Sequence, residues 1–152
     1  MKKDLDLKNL NIVPFKSVGP ILFNLSVEEV LEMLGEPNVR FKPGFAVRDT
    51  FAYDEIGIYI SFDKNFKSNT MALYPPANVI MFDKQLYNLS FDDLIKLFNE
   101  KELDVTEEEM IGFKSKQVGI AIYAPDTEDN YRDSPVQEIL VYRDLDYYQQ
   151  ED

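Results

Sequence analysis

Residues 22–34 read LFNLSVEEVLEML and residues 86–98 read LYNLSFDDLIKLF, 64 positions apart and aligned without a gap. Leu, Asn, Leu and Ser recur unchanged, Phe23 becomes Tyr87, Glu28/Glu29 becomes Asp92/Asp93, and Val30/Leu31 becomes Leu94/Ile95. Each copy spells one short helix. Ser26 is an N-cap, Glu29 three residues on completes a capping box, and Leu25 can staple onto Val30. Val27, Val30, Leu31 and Leu34 fall on one face at helical spacing, Gly35 suits a left-handed stop, and Pro37 blocks continuation. In the second copy Ser90 caps, Asp93 is the box partner, Leu89 and Leu94 form the staple, and Phe91, Leu94, Ile95 and Phe98 form the stripe. Asn99, the counterpart of Gly35, tolerates positive φ and predicts the stop.

Elsewhere the period changes to two. Residues 55–63, 70–74, 78–82, 118–124 and 136–143 are rich in β-branched and aromatic residues and predict strands. Gly57 and Gly119, 62 positions apart, precede the similar runs IYI and IAI, so the likeness extends past the helix. Breakers at 42–45, 74–77 and 125–135 supply the connectors. The competing account, two unrelated helices that share common capping letters, is weakened by this glycine-anchored strand. The fold expected is α+β, a single domain made by tandem duplication of a helix-plus-antiparallel-meander unit, with helices on one face of the sheet or sheets. Its repeats span 12–76 and 77–143, and an acidic tail spans 144–152.

A chain of 152 residues, 45% hydrophobic and 13% aromatic, can bury a core unaided. It has no cysteine, which removes disulfides and thiol chemistry, and no histidine, the commonest proton shuttle and metal ligand. The formal net charge of −12 repels phosphate backbones and anionic lipid and favours a basic partner. The N-terminal segment lacks the apolar core of a secretory signal, and no stretch approaches the roughly 18 apolar residues of a membrane span. A cytoplasmic protein binding neither nucleic acid nor membrane is expected.

Few routes to catalysis survive this composition. The carboxylates Asp54/Glu55 and Glu107/Glu108/Glu109 could in principle form an acid pair, but such runs are ordinarily solvated surface. The run DTEDNYRD at 126–133 alternates acidic and amide oxygens, yet Tyr131 stands where a calcium loop needs Gly and Gln137 where it needs Glu. No glycine-rich phosphate loop occurs. No catalytic set, metal or cofactor is expected. What does concentrate is tyrosine amid acid: Tyr131, Asp133, Tyr142, Asp144, Asp146, Tyr147 and Tyr148. Tyrosines anchor interfaces and carboxylates steer basic partners, so these residues are the candidate partner-binding site. The plainer alternative is a solvated tail after the last strand.

The stretch VGPILFNLSVEEVLEMLGEP at 18–37 resembles the opening unit of small bacterial helix-plus-sheet proteins related to the β-lactamase inhibitor protein, to outer-membrane assembly lipoproteins and to immunity-like proteins. Leu25–Ser26, Glu28–Glu29–Val30 and Leu34–Gly35–Glu36–Pro37 carry the likeness, with Asn24 where Gly is usual. The resemblance implies a protein-binding scaffold. Together with the charge it points to a non-enzymatic immunity or inhibitor protein that neutralises a basic toxin. Two alternatives stay open: self-assembly, as a homodimer through a sheet edge, and a small-ligand binder with a pocket between the repeats lined by Tyr59, Tyr74 and Tyr123.

Overall fold

The structure is a computed structural model and describes residues 5–44, 48–108, 111–124 and 135–145. The chain begins with β1 (Leu10–Val13), β2 (Ser17–Val18) and β3 (Ile21–Leu22), then α1 (Val27–Leu34), then β4 (Val39–Phe41), β5 (Thr50–Tyr53), β6 (Ile58–Phe62) and β7 (Ser68–Leu73). It continues with β8 (Val79–Met81), β9 (Lys84–Gln85), a 3₁₀ turn at Leu86–Asn88 and α2 (Phe91–Glu100). The last four strands are β10 (Thr106–Glu108), β11 (Gly112–Ser115), β12 (Ile120–Tyr123) and β13 (Glu138–Tyr142).

Among the described residues these strands form two sheets. The larger runs β10-β11-β12-β13-β7-β6-β5-β4 and is antiparallel throughout. It is two four-strand meanders in chain order, joined where the last strand of one meets the last strand of the other. At that junction Met71 faces Val141, Ala72 faces Leu140 and Leu73 faces Ile139. The smaller sheet runs β3-β2-β1-β8-β9, with β1 and β8 parallel. The strand expected at 78–82 belongs to this second sheet. Its central neighbour β1 lies 69 residues upstream, a pairing that local periodicity cannot encode.

Alternation along the strands separates two faces. Ile58, Ile60 and Phe62 point inward with Phe51, Tyr53, Met71, Leu73, Ile139, Val141, Ile120, Ile122 and Phe113, all buried in one cluster. Both helices join this cluster. On α2, Phe98 and Phe91 set their rings 5.1 and 5.5 Å from Phe113, and α1 contributes Val30 and Leu34. Burying such a face, at about 25 cal/mol per Å² of apolar area, holds an 8-residue helix that would fray alone.

The caps follow the residues that spell them. Ser26 Oγ accepts from the Glu29 N–H at 3.1 Å while the Ser26 N–H donates to Glu29 Oε1 at 3.0 Å, the reciprocal box expected. Gly35, at φ +81, closes α1 by donating to the Leu31 carbonyl. Ser90 Oγ likewise accepts from the Asp93 N–H at 3.1 Å. The end of α2 departs from expectation: Asn99 stays helical, and the left-handed residue is Glu102, at φ +59. There the Leu103 N–H reaches the Phe98 carbonyl and the Glu102 N–H reaches Asn99, which closes the helix as a Schellman motif with Leu103 packed on the core. The hydrophobic clasp of Leu103, available one turn later, outweighs the local preference of Asn99.

Candidate functional site

The outward face of the large sheet carries the tyrosines that do not serve the core. Phe41 on β4, Tyr59 on β6 and Tyr74 at the end of β7 form a row, with ring centroids 6.0 Å apart for Phe41–Tyr59 and 5.0 Å for Tyr59–Tyr74. Cross-strand register sets this row: Tyr59 lies between Ala52 and Ala72, whose small side chains leave the rings standing proud. Beyond Ala72 the same face continues through Leu140 and Ala121, with Tyr123 and Tyr142 beside them. Neither helix contributes to this second cluster.

Acid terminates the row. Tyr59 donates its hydroxyl to Asp54 Oδ1 at 2.7 Å, and Tyr74 donates to Glu138 Oε2 at 2.7 Å. The Asp54 hydrogen bond is the main cause that raises the Tyr59 hydroxyl above its ordinary pKa; for Tyr74 burial leads and Glu138 adds to it. Two other tyrosines are structural. Burial pushes the Tyr53 hydroxyl up to about 12 while it donates to the Gly35 carbonyl at 2.8 Å, and Tyr87 donates to the Leu73 carbonyl. Tyr59, Tyr74 and Tyr123 thus share one face that spans both meanders, partly buried at each of the three rings.

The tyrosine–acid cluster read from the C-terminal region fares differently. Tyr131, Asp133, Asp146, Tyr147 and Tyr148 lie outside the described residues. Tyr142 is fully buried, which removes it as an exposed anchor: β13 alternation puts it beside Leu140, packed on Ala121 across the sheet. Asp144 is engaged at home, accepting from Arg143 Nε at 2.7 Å.

Arg143 joins the end of β13 to the first meander. Its Nη1 donates to Asp63 Oδ2 at 2.7 Å and to Asn24 Oδ1 at 3.1 Å, and its backbone N–H bonds the Asn69 carbonyl. Asn24 holds φ +67, a conformation that Gly and Asn tolerate best. Asp63 also accepts from the N–H groups of Asn65 and Lys67, and Asp104 clamps the β11–β12 turn by accepting from Ser115 Oγ and from the N–H groups of Lys116 and Gln117.

Burial raises both carboxyls, but these donors together outweigh it, and each ends below its ordinary value. A carboxyl depressed on folding contributes stability that is present above its unfolded pKa, near 3.9, and lost as pH falls through the lower folded value. Urea midpoints between pH 7 and pH 3 should therefore fall less steeply for Asp63→Asn and Asp104→Asn than for the parent; parallel curves would show that these clamps do not titrate.

Among the described residues no group of three or more histidine, cysteine or acidic side chains is placed to hold a metal ion, and no helix is long and apolar enough to cross a membrane. Comparison with known proteins returned no matching family model, no matching curated protein and no matching solved structure.

Proposed function

We propose that this chain is a non-enzymatic, cytoplasmic protein-binding protein of the immunity or inhibitor kind, which takes a basic protein partner on the helix-free face of its large sheet. The observation that carries the reading is the row Phe41–Tyr59–Tyr74, whose hydroxyls end on Asp54 and Glu138, in a chain of net charge −12. Partly exposed tyrosines supply contact area at low entropic cost, and the overall field draws a cation-rich surface toward them.

The same reading takes the chain as a tandem duplication. Several repeated details support this. Tyr74 N–H bonds the Gly57 carbonyl and Tyr142 N–H bonds the Gly119 carbonyl, both at 2.8 Å and both at a glycine of positive φ. The capping serines form matching bridges, Ser26 with Lys67 and Ser90 with Pro135. If Tyr74 and Tyr142 correspond, Ala72 corresponds to Leu140, and these two face each other at the junction. Met71 and Leu73 then face each other's counterparts, as a twofold axis requires.

The test is capture from a lysate of the source organism at low and high salt, with three baits: the parent, Tyr59→Ala, and Tyr147→Ala/Tyr148→Ala, each checked for an unchanged melting temperature. A basic protein held by the parent at low salt, released at high salt and lost with Tyr59→Ala is the expected result. Loss only with Tyr147→Ala/Tyr148→Ala would move the interface to the C-terminal segment. Recovery of bait alone would overturn the reading.

A further inference from the structure

A cleft of about 700 Å³ opens in the first half of the chain, between the start of α1, the β4 and β5 strands and the β6–β7 turn. Its size falls within the range of small-molecule sites, roughly 300–1,000 Å³. The floor is apolar: Phe51 and Phe62 are buried, with ring centroids 4.9 Å apart and edge to face. Phe66, 51% exposed, forms a wall, held out by a backbone at φ +61.

The rim has the opposite sign to the molecule. Among the described residues, Arg40, Lys42, Arg48 and Lys67 line it beside Glu28 and Asp49, whereas the whole chain has 16 basic and 28 acidic residues. Two of the cations are positioned by the aromatic lining itself: the Arg40 guanidinium lies 4.5 Å from the Phe51 ring centre and that of Arg48 lies 4.3 Å from the Phe66 ring centre. Arg40 is further braced by Glu36 at 2.9 Å, and Arg48 by the Lys64 carbonyl at 3.0 Å. Braced guanidiniums lose little freedom on meeting an anion, and their planar forks match carboxylate and phosphate oxygens. Four cations gathered around one cleft favour an incoming anion.

We propose that this cleft binds an anionic small molecule whose phosphate or carboxylate group meets the Arg40–Lys42–Arg48–Lys67 rim while an apolar body rests on Phe51, Phe62 and Phe66. The site is separate from the tyrosine face and does not depend on the protein-partner reading.

The test is titration calorimetry with phenyl phosphate and with benzoate. Inorganic phosphate serves as the charge without the ring, and benzyl alcohol as the ring without the charge. Saturable binding of at least one aromatic anion, with Kd below about 1 mM and at least tenfold tighter than inorganic phosphate or benzyl alcohol, is expected. Lys42→Glu/Lys67→Glu should weaken it tenfold or more while the circular-dichroism spectrum stays unchanged. Lys42→Gln, at an exposed position, gives a milder second variant if the double one misfolds. No saturable binding up to about 10 mM, or equal affinity in the folded variants, would overturn the site. Inorganic phosphate binding as tightly as the aromatic anions would overturn the apolar half of the proposal.

Discussion

Gly57→Ala is expected to destabilise the protein by about 3 kcal/mol or more, among the largest losses a single methyl can cause. Two effects add. Gly57 sits at φ +70, where a residue with a Cβ is disfavoured by roughly 1–2 kcal/mol. Its added Cβ would also stand 2.1 Å from the Tyr74 carbonyl oxygen, backbone that is itself held by the Ala77 N–H at 2.8 Å and cannot step aside. Relief would require breaking the Tyr74-to-Gly57 hydrogen bond and parting the start of β6 from the end of β7. Gly119→Ala is the internal control. Its φ is +63, but the nearest atom to its Cβ is the Phe15 ring at 2.7 Å, a side chain that can turn, so a loss of about 2 kcal/mol is expected. Urea denaturation of the two variants decides the matter: a Gly57→Ala loss no greater than that of Gly119→Ala would disprove the backbone clash.

Phe98→Ala should cost about 3–5 kcal/mol. The side chain is fully buried on α2, edge to face with Phe113 at 5.1 Å and with Phe82 at 6.1 Å. It is also the residue whose carbonyl receives the Leu103 N–H, so the cavity would open beneath the point where α2 is closed. Domains of this kind are stable by only about 5–15 kcal/mol, so the variant should populate unfolded chains measurably at moderate temperature. Phe98→Leu, which keeps most of the volume, should lose less than half as much. Thermal melts of the pair against the parent supply the measurement; equal losses would mean that ring geometry, rather than filled volume, dominates at this site.

What could be read in advance was local. The capped helix starts, the stripe on α2 and strands β6, β7, β12 and β13 are written within runs of ten residues or fewer, because caps and alternation act at that range. Of the strands that escaped notice, β5 is buried at all four positions and β4 and β9 are exposed at every one, so they lack alternation, while β1 alternates over only four residues. The small sheet escaped because β1 meets β8 only through the tertiary fold. The functional surfaces divide the same way. Tyr59, Tyr74 and Tyr123, expected as the lining of a pocket between the repeats, lie instead along one face of the large sheet. Tyr142, grouped with the tyrosine–acid cluster, is a buried ring because its strand places it against Ala121. Nothing marked the cleft, since its cations are dispersed from Arg40 to Lys67 and become neighbours only when β4, β5 and the β6–β7 turn assemble.

The junction of β7 with β13 bears on how the chain comes to be made. During synthesis β7 is complete long before β13 exists, because Glu138 follows Leu73 by 65 residues. Until then the β7 edge has no lasting partner within its own molecule, and open edges are where strands from other copies add. Closing the large sheet across 66–72 residues is also a slow, non-local step. A nascent or truncated chain ending before Glu138 would therefore display the β7 edge of a four-stranded sheet to the ribosome's surroundings, and β13 is the strand that covers that edge.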